Sequence, residues 1–564
     1  MSMWVLRFVP AVTLTAFLAP VLAGLAGTAL PAMGFLPVIG GNRFSLEPWR
    51  VLLATPGLLA SIRLTVLSGF LATSISLALV FAFCAAAHDR PVFARARRLL
   101  APLMAVPHAA VAIGLAFIIA PSGWLVRLAS PWPSGWQQPP DALIVQDPLG
   151  LALVAGLVLK ETPFLLLMTV GALGQAQVQP TLTVARSLGY GPVQAWLKGV
   201  LPRVYAQLRL PVYAVLAFSL SVVDMALVLA PSTPAPLAVE VFRWFRDPDL
   251  GLRFVAAAGA VLQVAIVALS IALWAFGERV VARLGRRWLS GGARGHGGRS
   301  TRILATAGLM SVFALATLGI VAMGLWSLTW RWRYPDAFPS AWTLDNWTRH
   351  MGAVAWPFWV TVTVGISAAL IALALVLGCL ENEKSRGVKV TTRAMWLLYT
   401  PLIVPQIGFL FGVQILLIWS GLDGALPALV WAHLLFVLPY VYLALADPYR
   451  AFDDRYAHAG QVLGASPWRV FWSIKAPMLL RSILLAAALG FAVSVAQYLA
   501  TVFAGGGRFA TLTTEAISLA AGADRRVTGT YVLLQAVLPL VMFAGALGLP
   551  AWLHRNRAEL QVAR

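Results

Sequence analysis

Long apolar stretches recur along the whole chain and constrain its fold more than any other feature. A membrane-spanning helix needs about 20 apolar residues. Twelve stretches reach this length, with approximate bounds 8–32, 57–87, 99–120, 149–171, 208–231, 253–276, 303–327, 357–380, 395–419, 425–446, 480–504 and 530–553. Of the 564 residues, 60% are hydrophobic and 11% are charged, which is too apolar for soluble domains. The sequence therefore predicts an all-α polytopic membrane protein with about twelve transmembrane helices.

The twelve candidate spans form two sets of six. Pro107 in the third span recurs as Pro405 in the ninth, and Thr65 recurs as Thr363 at the same offset. The first set also carries an insertion around 121–149. Because each set has an even number of spans, both sets enter the membrane in the same direction. We therefore expect two parallel six-helix repeats.

A basic, glycine-rich segment at 277–302 separates the two sets and holds seven arginines. Its glycines favour a flexible linker, and its charge favours the cytoplasmic surface. The sequence thus predicts a first transmembrane domain at 1–276, this linker at 277–302 and a second transmembrane domain at 303–564.

Lysine and arginine are unevenly divided between the two sides of the membrane. With a cytoplasmic N-terminus, 28 of them lie on that side and 13 on the opposite side, and Lys160 lies inside a span. Cytoplasmic loops are enriched in these residues, so we expect both termini and the linker in the cytoplasm. The same enrichment accounts for the net charge of +21, so we do not expect this charge to bind a nucleic acid. The first apolar stretch exceeds the ~7–15-residue core of a secretory signal, so we expect it to remain as a span.

A short motif occurs twice, once in each half, between apolar spans. In both copies a glycine, Gly189 or Gly464, precedes two prolines at identical spacings. A glycine after the last helical turn closes that turn in the left-handed conformation, and a proline suits the first position of the next helix. The sequence predicts two helix-turn-helix elements whose second helix ends at the closing proline. Their candidate positions are Ala185, Gly189, Pro192, Trp196 and Pro202, and Ala459, Gly464, Pro467, Phe471, Trp472 and Pro477.

This pair resembles the cytoplasmic Glu-Ala-Ala ("EAA") loop of permease subunits of ATP-driven (ABC) importers. The glycine and the final proline of that loop match in both copies. Its glutamate is absent, because Thr183 and His458 hold the corresponding positions, and Ala476 replaces the usual leucine of the second copy. Over essentially its whole length, the chain resembles inner-membrane permeases with two fused halves, such as those for thiamine and ferric iron.

The resemblance implies a bacterial transport subunit rather than an enzyme. Each loop would dock into a groove of one ATPase subunit, so that two copies bind, and a periplasmic binding protein would deliver a small substrate, with thiamine, ferric iron or a similar cation expected. The rings of Trp196, Phe471 and Trp472 would fill the groove, with packing against the helix bundle as the alternative. ATP hydrolysis is expected on a separate subunit, because no lysine here follows a glycine and a phosphate-binding loop cannot form.

The span after each loop, which in that family lines the pathway, carries a polar stripe. Asp224 follows Ser221 by three residues, which would place both on one helix face, and the second half has Ser494 and Gln497 at the matching positions. A charge inside a bilayer is costly unless it faces protein or water. We expect these four residues to line a translocation path in which Asp224 and Gln497 face each other, with interhelical hydrogen bonding as the alternative.

Other polar residues in the spans are expected to be structural. The neighbours Lys160 and Glu161 do not share a helix face, so they would pair with other helices. His108 and His433 stand alone in apolar spans, as hydrogen-bonded core histidines do. The two cysteines also lie in apolar runs, where packing is their expected role. The sequence predicts no catalytic residue, metal site or cofactor.

Two other classes of protein stay open at this stage. A secondary carrier can also have twelve spans in two parallel halves, but it would work without an ATPase and leaves the paired loops unexplained. A membrane enzyme would need a convergent polar site that the sequence does not indicate.

Overall fold

Helices make up nearly all of the regular structure, so the prediction of an all-α polytopic protein is confirmed. The computed structural model describes residues 3–295, 299–387, 392–522 and 524–555. Within these ranges ten helices are long and apolar enough to cross a membrane, or twelve if each of two bent pairs is one span. The bent pairs are Trp396–Ile403 with Gln406–Trp419, at 91°, and Pro467–Met478 with Leu480–Val495, at 78°.

Helices and hairpins follow one another in a similar order before and after the linker. The helices before it are α1 (Met3–Ala32), α2 (Glu47–Ala54), α3 (Leu58–Ala87), α4 (Pro91–Ala105), α5 (His108–Ile119), α6 (Trp124–Leu128), α7 (Leu151–Gln175), α8 (Val178–Ser187), α9 (Pro192–Ala195), α10 (Leu201–Ser221), α11 (Asp224–Leu229), α12 (Leu237–Arg246) and α13 (Leu252–Ser290). Those after it are α14 (Arg299–Ser327), α15 (Asp345–Arg386), α16 (Thr392–Ile403), α17 (Gln406–Trp419), α18 (Leu426–Arg450), α19 (Asp454–Val462), α20 (Pro467–Val470), α21 (Ala476–Met478), α22 (Leu480–Val495), α23 (Leu499–Ala504), α24 (Leu512–Ala520) and α25 (Arg525–Leu553). Each set opens with a long helix that leads into a two-stranded antiparallel hairpin, β1 (Phe35–Leu36) with β2 (Gly41–Asn42) after α1, and β3 (Thr329–Arg331) with β4 (Ala341–Trp342) after α14.

Most of the expected linker is helical, which corrects the prediction of a flexible segment over 277–302. Helix α13 runs to Ser290 and α14 begins at Arg299. Gly277 and Gly285 are isolated among alanine, arginine and leucine, whose high helix propensity outweighs the cost of single glycines. Residues 291–295 are the described non-helical part, and 296–298 lie outside the described residues, as do 1–2 and 556–564 at the termini.

Four of the expected continuous spans are broken inside the bundle. The breaks separate α4 from α5, α10 from α11, α16 from α17, and α22 from α23. The first and third lie at Pro107 and Pro405, which have no N–H to continue a helix. The other two contain no proline. There, buried side chains donate to the carbonyls that the break leaves free: Gln263 donates to the Leu220 oxygen at 2.9 Å, and Thr513 donates to the Val495 oxygen.

Two threonines, one in each half, accept hydrogen bonds at the starts of α12 and α24, short helices that come after these two breaks. The Thr65 hydroxyl accepts a hydrogen bond from the Leu237 N–H at 2.9 Å, at the start of α12. The Thr361 hydroxyl accepts one from the Leu512 N–H, also at 2.9 Å, at the start of α24. The structural counterpart of Thr65 is therefore Thr361, and the sequence match to Thr363 was wrong by two residues. Two threonines so close together made the register ambiguous in the sequence.

The first helix of each half packs on the other half. Helix α1 lies against α15 and α17, and α14 lies against α3 and α5. Glycines make both contacts possible, since a Cβ atom on Gly412 would lie 2.0 Å from the Gly24 oxygen, and one on Gly114 would lie 3.1 Å from the Gly319 Cα. Small residues let helix backbones approach closely in membranes. The two halves are thereby interlocked.

We predict that Gly412→Ala separates α1 from α17 and lowers the free energy of unfolding by about 1–3 kcal/mol, the usual cost of overpacking. A thermal melt of the purified protein in detergent measures this. Gly324→Ala in α14 is the matched control, because no described atom outside its own helix backbone lies within 4 Å of the added methyl group. Equal stability of the Gly412→Ala protein and the wild type would contradict the close contact.

Candidate functional site

Both copies of the repeated motif close with the same left-handed glycine turn. Gly189 has φ +85° and Gly464 has φ +83°. In the first copy the Tyr190 N–H donates to the Ala185 oxygen at 3.1 Å, and in the second the Ala465 N–H donates to the Gly460 oxygen at 3.0 Å. A second bond in each turn joins the glycine N–H to the carbonyl three residues earlier. This pairing is the Schellman motif that glycine favours at helix ends.

The helix after each glycine begins as the sequence predicts. Pro192 and Pro467 stand at the first helical position, and the Ser466 hydroxyl accepts from the Arg469 N–H at 3.3 Å as an N-cap. The turns at the two glycines and their flanking helices will be called the first and second loops, over 178–202 and 454–477.

The predicted helix ends at Pro202 and Pro477 are wrong. In each copy a π-type turn, Trp196–Val200 or Phe471–Lys475, comes just before the proline. The wider turn relieves the clash between a proline ring and the preceding turn, and helices tolerate proline in their first turn. The first loop therefore continues straight into α10, whereas the second bends after α21 before it enters α22.

The aromatic side chains of the two loops lie in different environments. Trp196 is fully buried, and its ring centroid lies 6.3 Å from that of Phe81 in α3. The expectation that Trp196 fills a partner's groove is therefore wrong, and its alternative, packing against the bundle, holds. Trp472 is 54% exposed and packs edge-on against the half-buried Phe471, with centroids 5.1 Å apart.

An ion pair joins each loop to the end of a long helix that lies earlier in the same half, α3 in the first half and α15 in the second. Arg186 in α8 pairs with Asp89, just after α3. In the second half the charges are exchanged, and Lys384 at the end of α15 lies 2.7 Å from Asp454 in α19. Burial alone would raise the pKa of Asp89, but hydrogen bonds from Arg186 and Gln179 lower that pKa below its ordinary value. The carboxylate is therefore ionised at neutral pH, and the pair is present there.

Sequence reasoning missed two exposed leucines at the tips of the loops. Leu188 is 57% exposed and Leu463 is 86% exposed, each directly before its glycine. Their equivalence was visible in the sequence once Gly189 was aligned with Gly464, but only the structure places both at the outermost turn. The two loops therefore each present an apolar side chain to solvent at an equivalent position.

The four helix breaks meet at a cavity of about 150 Å³ between the two halves. Side chains from both halves line it. The polar and aromatic ones are His108, Lys160, Glu161, Phe164, Phe218, Ser221, Asp224, Tyr399, Gln406, Phe436, Tyr440, Gln497 and Tyr498. The aromatic lining was not predicted, because aromatic residues in apolar spans do not differ by sequence from those of an ordinary core.

The predicted stripe reaches this cavity in part. Ser221 and Asp224 line it from the first half, and Gln497 lines it from the second. Ser221 ends α10 and Asp224 begins α11, with extended Val222 between them, so the expected common helix face does not exist.

The expected place of Ser494 on the path is wrong. Its side chain is 2% exposed, and its hydroxyl lies 2.8 Å from Nδ1 of His433. The other ring nitrogen of His433 lies 3.0 Å from the Thr501 hydroxyl, so this histidine joins α22 to α23 across their break. His433 is thus a hydrogen-bonded core histidine, as expected.

Lys160 pairs with backbone rather than with its neighbour. Its ammonium group donates to the Met104 oxygen at 3.2 Å and to the Val106 oxygen at 2.6 Å. These carbonyls lie at the break between α4 and α5, where no helical N–H reaches them. Glu161 lines the cavity beside His108, whose Nε2 lies 4.0 Å from the carboxylate. The titratable lining of the cavity thus includes two carboxyl groups, those of Glu161 and Asp224, and one amine, that of Lys160.

A second cavity of about 510 Å³ lies next to the first and shares Tyr498 with it. Its polar lining includes Arg246, Arg253, Asp423 and Glu515. Aromatic rings pack around the shared tyrosine, since Phe242 lies 5.7 Å from Tyr498 and 6.5 Å from Phe503 between centroids. These three rings form an aromatic layer, whose Tyr498 lines both cavities and whose Phe503 lines the second. In the described ranges no group of three or more His, Cys, Asp and Glu residues is placed to hold a metal ion.

Comparison with known proteins places the chain among transport permeases. Residues 370–555 match the family described as the inner membrane component of binding-protein-dependent transport systems. The inner membrane ABC transporter permease protein YnjC of Escherichia coli K12 is 30% identical over 523 residues, which cover 92% of this chain and 93% of that protein.

Shorter relatives match part of the chain. The putative 2-aminoethylphosphonate transport system permease protein PhnV of Salmonella typhimurium is 24% identical over 210 residues, 36% of this chain and 77% of that protein. The putrescine transport system permease protein PotI of Escherichia coli K12 is 26% identical over 223 residues, 38% of this chain and 75% of that protein.

Proposed function

Because this chain belongs to the inner-membrane permeases of binding-protein-dependent ABC transporters, we propose that it forms the whole translocation pathway of an importer from two fused halves. The halves would be 1–276 and 303–564, joined by 277–302. A periplasmic binding protein would deliver the substrate, and two copies of a separate ATPase subunit would supply the energy. Family membership removes the secondary carrier and the membrane enzyme as alternatives.

The two equivalent loops are the observation that carries this proposal. Each presents a rigid, glycine-closed turn with an exposed leucine at its tip, and each is tied by an ion pair to a long span. Such a loop can transmit movement of a bound ATPase into the bundle, because its π-turn leads toward a helix that lines the cavity, α10 in the first half and α22 in the second. The excess of lysine and arginine on the same side supports a cytoplasmic position for both loops and both termini.

The central cavity is the proposed substrate path. It lies where the four helix breaks meet, and it shares Tyr498 of the aromatic layer with the larger second cavity. With the loops in the cytoplasm, the second cavity would face the binding protein. Substrate would then pass the aromatic layer when the halves move.

A small organic cation fits the lining of this path. Its lining holds two carboxyl groups against one amine, and rings such as Tyr399 and Tyr440 can bind a cation through their faces. Putrescine in the name of one relative is a cation of this kind, while the phosphonate in another is not. The cation preference therefore depends on the residues of this cavity.

We predict that Asp224→Asn lowers the rate of ATP-driven cation uptake in vesicles roughly tenfold, the factor of one charge-assisted contact. The melting temperature should stay unchanged, since the side chain lines the cavity and the asparagine oxygen can accept from the same backbone N–H groups at the start of α11. Uptake at the wild-type rate would contradict the pathway role. A loss of folded protein would instead favour interhelical hydrogen bonding.

Asp147→Ala is a matched control for the loss of a buried carboxylate. Asp147 caps α7 by accepting from the Leu151 and Ala152 N–H groups, both at 2.8 Å. Its removal should cost about 1 kcal/mol of stability, as for other helix caps. Uptake per folded molecule should not change.

We predict that Gly464→Val weakens association with the ATPase subunit while the protein stays in the membrane. A β-branched residue at φ +83° is strained by about 1–2 kcal/mol or more, so the turn would rearrange and move Leu463. Co-purification of the ATPase with the permease measures the effect. Gly464→Asn is the control, because asparagine tolerates this conformation. Normal transport by the double variant Gly189→Val, Gly464→Val would refute a docking role for the loops.

A further inference from the structure

The non-helical segment 291–295, here called the strap, lies directly on the first loop. The Gly191 N–H donates to the Arg294 oxygen at 3.0 Å. The Lys198 ammonium donates to the Gly291 oxygen at 2.9 Å and to the Ala293 oxygen at 3.1 Å. These three hydrogen bonds hold the strap by its backbone.

Aromatic rings complete the attachment of Lys198. Its ammonium lies 5.2 Å from the ring centroid of Tyr190 and 4.9 Å from that of Trp288, at the end of α13. A cation between two ring faces is stabilised by both of them. The residues that hold the strap thus come from the loop and from the helix that leads into the strap.

The second loop has none of these holding groups. When Gly189 is aligned with Gly464, Ser473 replaces Lys198 and Ala465 replaces Tyr190. Within the described ranges, and apart from its own chain neighbours, no atom lies within 4 Å of the position of an added Cβ on Gly464, whereas Arg294 lies 3.1 Å from that position on Gly189. Where the first loop carries the strap, the second loop exposes two tryptophans, Trp468 and Trp472.

The two loops therefore present surfaces of different chemistry. Arg294 of the strap is exposed, and so are three arginines near the end of α13, which leads into the strap, at Arg283, Arg286 and Arg287. The guanidinium of Arg294 lies over the glycine turn itself. A partner that covers this face must supply acidic groups, while a partner on the second loop meets tryptophan rings.

We propose that the strap is a fixed part of the surface that the ATPase subunit contacts on the first loop, and that acidic residues of that subunit meet Arg294 there. This inference rests on the proposed function. It makes the two docking sites of one chain inequivalent, although the ATPase copies are the same. The strap stays on the loop when the ATPase binds.

A cysteine pair tests whether the strap lies on the loop, independently of any partner. An added Cβ on Gly295 would lie 2.4 Å from Cγ of Gln194, which is one bond from the Gln194 Cβ, so the two Cβ positions lie within the reach of a disulfide. With the two native cysteines replaced by alanine, Gln194→Cys with Gly295→Cys keeps Arg294 in place and should become protected from a maleimide-polyethylene glycol reagent on oxidation. Arg469→Cys, at the matching place of the second loop, with Gly295→Cys is the control and should stay reactive. Equal labelling of the two pairs would overturn the contact.

The same cysteine pair tests what the strap does. A co-expressed ABC ATPase subunit should co-purify equally with the oxidised and the reduced protein, because the strap need not leave. If the ATPase subunit no longer co-purifies after oxidation but does so again after reduction, the proposal is overturned. The strap would then cover the docking surface and have to leave it before the ATPase binds. If the wild-type chain retains no ATPase at all, the proposed function fails, while the disulfide still reports the contact.

Releasing the strap provides a second test. Lys198→Met removes the donor of two hydrogen bonds and should weaken ATPase association roughly tenfold, as the loss of hydrogen bonds to a charged group does. Lys198→Arg should restore the association, since arginine can donate to the same carbonyls and stack on the same rings. Wild-type association of the Lys198→Met protein would refute a role of the strap in docking.

Discussion

The structure depends on satisfying the backbone groups that four broken helices leave free inside an apolar bundle. An unpaired carbonyl or N–H in such surroundings costs several kcal/mol. At the break without proline in each half, a glutamine at an equivalent position helps to satisfy the free carbonyl. Gln263 in α13 donates directly to Leu220, whereas Gln535 at the matching place in α25 donates at 2.7 Å to Thr513, which in turn donates to Val495. The breaks are therefore built into the fold.

These breaks give the bundle its cavity, and the interlocked first helices place that cavity between the halves. Because α1 and α14 each pack on the opposite half, a movement of one half also displaces helices of the other. Lys160 adds an asymmetry, since it satisfies carbonyls at one break. It has no charged counterpart in the second half, where Phe436 aligns with it once the prolines of α7 and α18 are matched. The charge of the path comes from the first half alone, and Gln497, Tyr399 and Tyr440 complete the lining from the second.

The sequence was most informative where local chemistry decides the structure. A left-handed glycine turn needs only its own residues, so Gly189 and Gly464 were predicted correctly from their spacing. The roles of Trp196 and Ser494 depend on which helix lies beside them, and neither α3 nor His433 could be identified as a neighbour from one sequence. The breaks without proline were missed because their cause is a distant side chain. The predicted domain boundaries and the orientation in the membrane stay predictions.

Contact between the two loops and an ATPase subunit is the central claim. The most direct measurement places a photo-crosslinking amino acid at Leu188 and, in a separate protein, at Leu463, in membranes that contain a co-expressed ABC ATPase subunit. Both positions should capture that subunit, and Trp132, an exposed residue of the insertion at 121–149, should not. Capture at Trp132, or at neither loop, would contradict the account.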